Sequence, residues 1–193
     1  MKKKIMKHMF LLLIAIILGA CSTHSVSRYS SSTDNVVALR KIESQVNVGK
    51  FTAVEPGRIQ IGCRAVGPVS TPDGEYFEDF IRKAFLDELR LAERYSPEAD
   101  ITITGNLEEI DFNSFNGTWY LVMTISSSNG ISYQVSEEYD YRTAYFGETA
   151  CKQTAQALVP AVQDLIAKII NHDMFADLFF STSNLNYKVL TPK

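Results

Sequence analysis

The chain of 193 residues carries 19 Lys and Arg against 22 Asp and Glu, a formal net charge of −3. Four lysines fall in the first 20 residues, which hold no acid, so without that segment 15 basic residues face 22 acidic ones and the charge is −7. That balance argues against nucleic-acid binding and against adsorption to anionic lipid through a basic patch. The remaining length, about 173 residues, suits a single domain with its own core.

The chain begins with Lys2, Lys3, Lys4 and Lys7, then an apolar run from Met9 to Leu18 and the small residues Gly19 and Ala20. This order makes a secretory signal, and the run falls short of the roughly 20 apolar residues that span a bilayer. Cys21 follows directly. Leu18-Gly19-Ala20-Cys21 resembles the lipobox of bacterial lipoproteins. The resemblance implies diacylglycerol on the Cys21 sulfur, cleavage before Cys21 and acylation of the freed amine, with residues 1–20 as the signal peptide. Two or more acyl chains anchor stably where one does so only marginally. In Gram-negative lipoproteins an Asp after the cysteine tends to retain the protein at the inner membrane. Ser22 stands there instead, which by resemblance implies an outer-membrane anchor and a domain facing the periplasm.

Residues 21–35 read as the lipidated cysteine and a Ser-rich polar tether, with an end-to-end distance of roughly 20 Å as a flexible coil. A single domain is expected over residues 36–180 and a mobile tail over 181–193. Val46, Val48, Phe51 and Val54 suggest an irregular strand broken by Gly49. From Arg58 to Val66, Ile59, Ile61 and Cys63 alternate with polar residues and Gly, as in a strand, closed by Gly67-Pro68. Thr71-Pro72-Asp73-Gly74 is a turn.

A first helix is expected over Asp73–Tyr95, with Asp73 as N-cap and Glu75, Glu78 and Asp79 at its positive end. Phe77, Phe80, Ile81, Ala84, Leu91, Ala92 and Tyr95 make its apolar stripe, and Ser96-Pro97 stops it. Ala99–Phe112 alternates through Ile101, Ile103 and Leu107, then changes phase to Ile110 and Phe112, which predicts a bulge near Glu108-Glu109. Thr118–Ser127 and Ile131–Arg142 form two further strands, joined through the hairpin signal Asn129-Gly130. Asn116-Gly117 closes the preceding hairpin. A second helix is expected over Thr149–Asn171, with Cys151, Ala155, Leu158, Val162, Leu165, Ile166 and Ile169 on one face. Pro160 lies on the opposite side, where a kink rather than a break is expected.

Strand, helix, three-stranded meander and helix predict an α+β fold, two helices packed on one face of a mostly antiparallel sheet in β-α-β-β-β-α order. The lipobox, the Ser-rich segment and this element order resemble the TolB amino-terminal-like domain, also seen in auxiliary lipoproteins of ABC-type transport systems. The likeness covers residues about 45–180, and it carries no function with it, because such relatives do different jobs.

Cys63 and Cys151 both fall in phase with apolar neighbours. In an oxidising compartment they form either a disulfide or two buried thiols acting as small apolar residues. Nucleophilic catalysis needs a base beside the nucleophile. The two histidines after Cys21 are His24, in the tether, and His172, near a helix C-terminus. No G-x-S-x-G, H-E-x-x-H, Walker or paired C-x-x-C pattern occurs, and no metal, cofactor or enzyme activity is expected. Glu108-Glu109, Glu137-Glu138 and Asp140 read as solvated carboxylates. Glu88 differs, because it falls inside the apolar stripe of the first helix and must be paired or protonated if buried. Arg64 or a tyrosine hydroxyl is the expected partner.

Tyr139, Tyr141, Tyr145 and Phe146 form the candidate partner surface, since tyrosine combines apolar area with a hydroxyl; the alternative is a sheet face covered by the helices. The leading expectation is a non-enzymatic envelope lipoprotein, an adaptor or accessory subunit docking on another envelope protein. The alternative is a lipid- or glycolipid-handling accessory of a transport system, which needs an apolar groove between helices and sheet.

Overall fold

Residues 23–180 are described by a computed structural model. The signal segment, Cys21 and the expected tail lie outside the described residues.

The central layer is a four-stranded sheet of β2 (Asn47–Ala53), β5 (Thr102–Asn113), β6 (Thr118–Ser127) and β7 (Ser132–Asp140), in the order β2-β5-β6-β7. β2 runs parallel to β5, whereas β5, β6 and β7 form an antiparallel meander. Period-2 alternation turns Ile103, Leu107, Leu121, Met123, Ile125, Tyr133 and Val135 to the buried side. The register slips between Leu107 and Glu109, as expected. Without that extra residue Ile110 would turn to solvent. Gly105 lies where Phe51 and Met123 close over β5, and a Cβ there would collide with both side chains.

Helices α2 (Phe77–Leu91) and α3 (Gly147–Ile170) cover one face of this sheet, α2 over β2 and α3 over β7 and β6. Phe77, Phe80, Ile81, Ala84, Phe85 and Leu89 fill the α2 side, and Leu158, Val162, Leu165, Ile166 and Ile169 the α3 side. Trp119 is fully buried beneath α3 and donates through Nε1 to the Thr154 carbonyl at 2.9 Å. Pro160 sits inside α3 without ending it. The opposite sheet face carries Thr104, Asn106, Tyr120, Val122, Thr124, Gln134 and Ser136, none of them buried. The α+β expectation and its core β-α-β-β-β-α order are therefore realised in β2-α2-β5-β6-β7-α3.

Several expectations need correction. Arg58–Val66 is not one strand: β3 (Gln60–Cys63) turns back into β4 (Gly67–Ser70), with Arg64 at φ 46°. The Gly67-Pro68 pair read as a terminator starts the central strand of a second sheet. Pro68 stands ahead of Val69, the first residue that β1 pairs, so at this strand start it has only β3 beside it, a place that tolerates proline. Asp73 does not cap α2, because it lies in a 3-10 turn at φ 57° and Tyr76 occupies the N-cap position. Leu91, counted in the apolar stripe, ends the helix exposed.

The largest departure is at the N-terminus. Residues 24–35 are folded onto the domain, not a free tether. β1 (His24–Ser25) pairs in parallel with β4, completing a second sheet in the order β1-β4-β3. α1 (Thr33–Leu39), capped by the Ser32 side chain, packs against α2 and α3. Val26, Val36 and Leu39 are buried. Serine richness suggested flexibility, but Ser32 ahead of Asn35, Val36 and Leu39 is a helix start.

Candidate functional site

Glu88 explains why the N-terminal segment is ordered. It projects from α2 into the layer beneath α1 and is fully buried. Its Oε1 accepts from the Tyr29 hydroxyl, from the Ser32 backbone N–H at 3.1 Å and from Asn35 Nδ2 at 3.3 Å. Asn35 Nδ2 also donates to the Gln163 carbonyl of α3 at 2.9 Å, and Gln163 Nε2 donates to the Ser30 carbonyl at 2.7 Å. The expected partner is thus a tyrosine hydroxyl and not Arg64. Burial raises the Glu88 carboxyl above its ordinary range, against the three hydrogen bonds, which lower it. The Tyr29 hydroxyl is pushed up by its own burial and by the neighbouring carboxylate.

Of the two alternatives for Cys63 and Cys151, the structure contains the disulfide. It ties the end of β3 to the first turn of α3, with the two Cα atoms 5.9 Å apart. Cys21 lies outside the described residues.

Arg64, which follows Cys63 directly, holds the most exposed aromatic group among the described residues. Its Nε donates to Ser114 Oγ at 3.1 Å, and its terminal nitrogens to the carbonyls of Ser114 at 2.7 Å, Ala144 at 3.2 Å and Tyr145 at 2.7 Å. Thr143 Oγ1 adds a bond to the Ser114 carbonyl at 2.6 Å. Two loops are stapled together in this way, the β5–β6 turn and the segment leading into α3. Asn113 Oδ1 accepts from the Phe115 N–H at 2.9 Å, which shapes the first turn. Phe115, Tyr145 and Phe146 stand out from the stapled loops, 77 %, 92 % and 75 % exposed.

The four aromatics expected to form one partner surface therefore separate. Tyr145 and Phe146 are exposed, but Tyr139 and Tyr141 pack partly buried against the core. Tyr141 Oη hydrogen-bonds Thr154 Oγ1 at 2.7 Å. Burial raises both hydroxyls, helped at Tyr139 by Asp164 and Glu137 and opposed at Tyr141 by Thr154 and Arg64. Phe115 joins the exposed pair. The sequence offered little to find it beyond one aromatic in a polar turn.

Other polar groups serve the fold. Glu137, read as solvated, faces inward and pairs with Lys168 at 3.0 Å. It shares the phase of Tyr133 and Val135, which the run of acidic neighbours obscured. His172 stacks on Tyr133 with centroids 4.1 Å apart, and the Tyr133 hydroxyl donates to the Ile169 carbonyl at 2.8 Å. His24 is buried, its Nε2 3.9 Å from Glu148. Among the described residues no three His, Cys, Asp or Glu side chains are grouped to hold a metal ion. Nor, among them, is any helix long and apolar enough to cross a membrane.

No family model and no curated protein matches the chain. Among solved structures it is similar to "a putative lipoprotein from Caulobacter crescentus CB15", at 15 % identity and a TM-score of 0.38. That match covers 83 % of this chain and 100 % of the other.

Proposed function

We propose that the chain is a lipid-anchored envelope protein that works as a non-enzymatic adaptor or accessory subunit of a cell-envelope complex. The observation that carries this reading is Leu18-Gly19-Ala20-Cys21, a lipobox directly ahead of a folded domain whose first strand begins at His24. Acylation at Cys21 attaches the domain to the outer membrane through a leash of two residues. The polar sheet face of Thr104, Asn106, Tyr120, Val122, Thr124, Gln134 and Ser136 is then the broad surface open to a protein partner. The alternative, a lipid-handling accessory, needs an apolar groove between helices and sheet. Trp119, Leu121, Met123, Leu158 and Val162 fill that layer, all fully buried.

The test is intact mass spectrometry of protein extracted from membranes, after crosslinking in cells and a mild-detergent pull-down. Acylated Cys21 with one envelope protein at stoichiometric yield supports the adaptor reading. Unmodified Cys21 removes its premise. Acylated protein that retains lipid and no protein partner favours the carrier.

A further inference from the structure

Three exposed aromatic rings stand at one corner, where they add nothing to the buried core. Phe115 tips the β5–β6 turn, and Tyr145 and Phe146 lead into α3. Tyr145 and Phe146 meet edge to face, with centroids 5.8 Å apart. All three border one shallow groove with Arg64, Thr143 and Gly147. The Arg64 staple fixes both loops, so the rings are displayed by a rigid frame.

The start of the described chain leads to this same corner. β1 runs parallel to β4, with His24 opposite Val69 and Ser25 opposite Ser70. Moving back from His24 therefore leads toward the Gly67 end of β4, which pairs with Cys63, the neighbour of Arg64. Gly147 lies against that end: a Cβ there would sit 3.1 Å from Val66 Cγ1 and 3.5 Å from Arg64 Cδ. His24 Nε2 is 3.9 Å from Glu148, the second residue of α3. Three residue steps separate His24 from Cys21, a reach of roughly 11 Å at full extension. An acylated Cys21 thus has to enter the bilayer close to this corner.

We propose that Phe115, Tyr145 and Phe146 form a membrane-contact face that seats in the interfacial layer of the same bilayer that takes the Cys21 acyl chains. This rests on the lipid-anchored reading above and adds the orientation of the domain. Aromatic rings favour the membrane–water interface, where a tyrosine hydroxyl stays wet while its ring is buried. With a net charge of −7 after residue 20, the chain has no overall attraction to anionic lipid. The contact is apolar and insensitive to the anionic lipid fraction. Leu91, 54 % exposed, lies at the far end of the molecule. α2 ends there and leads to the Val46–Tyr95 bridge beside the start of β5, whereas Phe115 follows the end of that 12-residue strand.

The experiment uses full-length protein purified from cell membranes and reconstituted in vesicles of phosphatidylethanolamine with brominated acyl chains, with and without phosphatidylglycerol. The variants are Phe115→Trp, Phe146→Trp and, as control, Leu91→Trp; buried Trp119 supplies a common background. Bromine is expected to quench the added emission of the first two by about half and to leave Leu91→Trp unchanged in both lipid mixtures. Intact mass on the same samples reports Cys21. Acylated protein with no quenching at 115 and 146, or with equal quenching at 91, overturns the membrane face and leaves the anchor standing. Unacylated Cys21 overturns the anchor and the membrane face with it.

Discussion

The Arg64 guanidinium lies 4.4 Å from the centroid of the Phe115 ring while donating to both loops that carry the exposed aromatics. One side chain thus supplies a cation–π contact and a planar fork matched to carbonyls on two segments. Arg64→Ala removes both and leaves three loop carbonyls without their charged donor. A loss of about 2 kcal/mol is expected in urea unfolding, with faster hydrogen exchange at residues 114–117 and 143–146. Arg64→Lys, which lacks the fork, should recover less than half of it. Unchanged exchange in both loops would show that other contacts hold them.

Glu88 makes a pH-dependent contribution whose sign follows from burial. Its folded-state value is raised, so the native state keeps the proton to higher pH than the unfolded chain does. Stability from this group is then full below the unfolded value and falls as pH rises toward the raised folded value. Glu88→Gln removes that dependence. Between about pH 4 and about pH 7 the difference in melting temperature should move in favour of the Gln variant. A difference that stays constant would mean that the three hydrogen bonds cancel the burial cost.

The Cys63–Cys151 bridge closes a loop with a sequence separation of 88. In the chain-entropy view a loop of that size stabilises by about 4.6 kcal/mol, less any native strain. The Cys63→Ser, Cys151→Ser double variant should unfold at a clearly lower urea midpoint with the same native far-ultraviolet spectrum. Equal midpoints would place the stabilisation elsewhere, for example in the burial of α3.

Strong local signals were legible in the sequence. The Leu107–Ile110 phase slip located the bulge, the β6 boundaries matched to the residue, and Pro160 was placed on a side of α3 that tolerates it. What the sequence could not show depends on contacts distant along the chain. Residues 24–35 look like a tether because their partners, Val69, Ser70, Glu88 and Gln163, lie far ahead. The β3–β4 hairpin was hidden because Arg64 takes a left-handed conformation rarely adopted by such a side chain. The exposed corner exists only because β5–β6 and the entry to α3 meet at Arg64, and no pattern within either segment announces that.

Gly117 tests how far the frame under Phe115 depends on one backbone position. It adopts φ 83°, and a Cβ there would overlap the Tyr141 carbonyl oxygen. Gly117→Ala combines left-handed strain with that collision, and a cost above about 2 kcal/mol is expected in urea unfolding. Gly130→Asn is the control. Gly130 also has positive φ, 93°, but open space around its Cβ position, and Asn tolerates the left-handed region. Similar costs at both would mean that strain alone, without the collision, sets the effect.

Tyr145 and Phe146 separate what the fold needs from what it displays. Both rings stand in solvent, and Arg64 reaches this segment through the backbone carbonyls of Ala144 and Tyr145, not through a ring. Replacing both by Ser keeps those carbonyls, and at position 146, the N-cap of α3 where Phe makes no side-chain bond, the serine hydroxyl suits the helix start. Stability should therefore fall by no more than about 0.5 kcal/mol, as for other surface substitutions, and the new cap favours a small gain. The variant should also be less prone to self-association in detergent-free buffer, since it removes apolar rings from water. Urea unfolding and sedimentation velocity on Tyr145→Ser, Phe146→Ser protein measure both effects. A loss well above that figure would mean that the rings brace the corner themselves, and their exposure would then be a structural feature and not an offered surface.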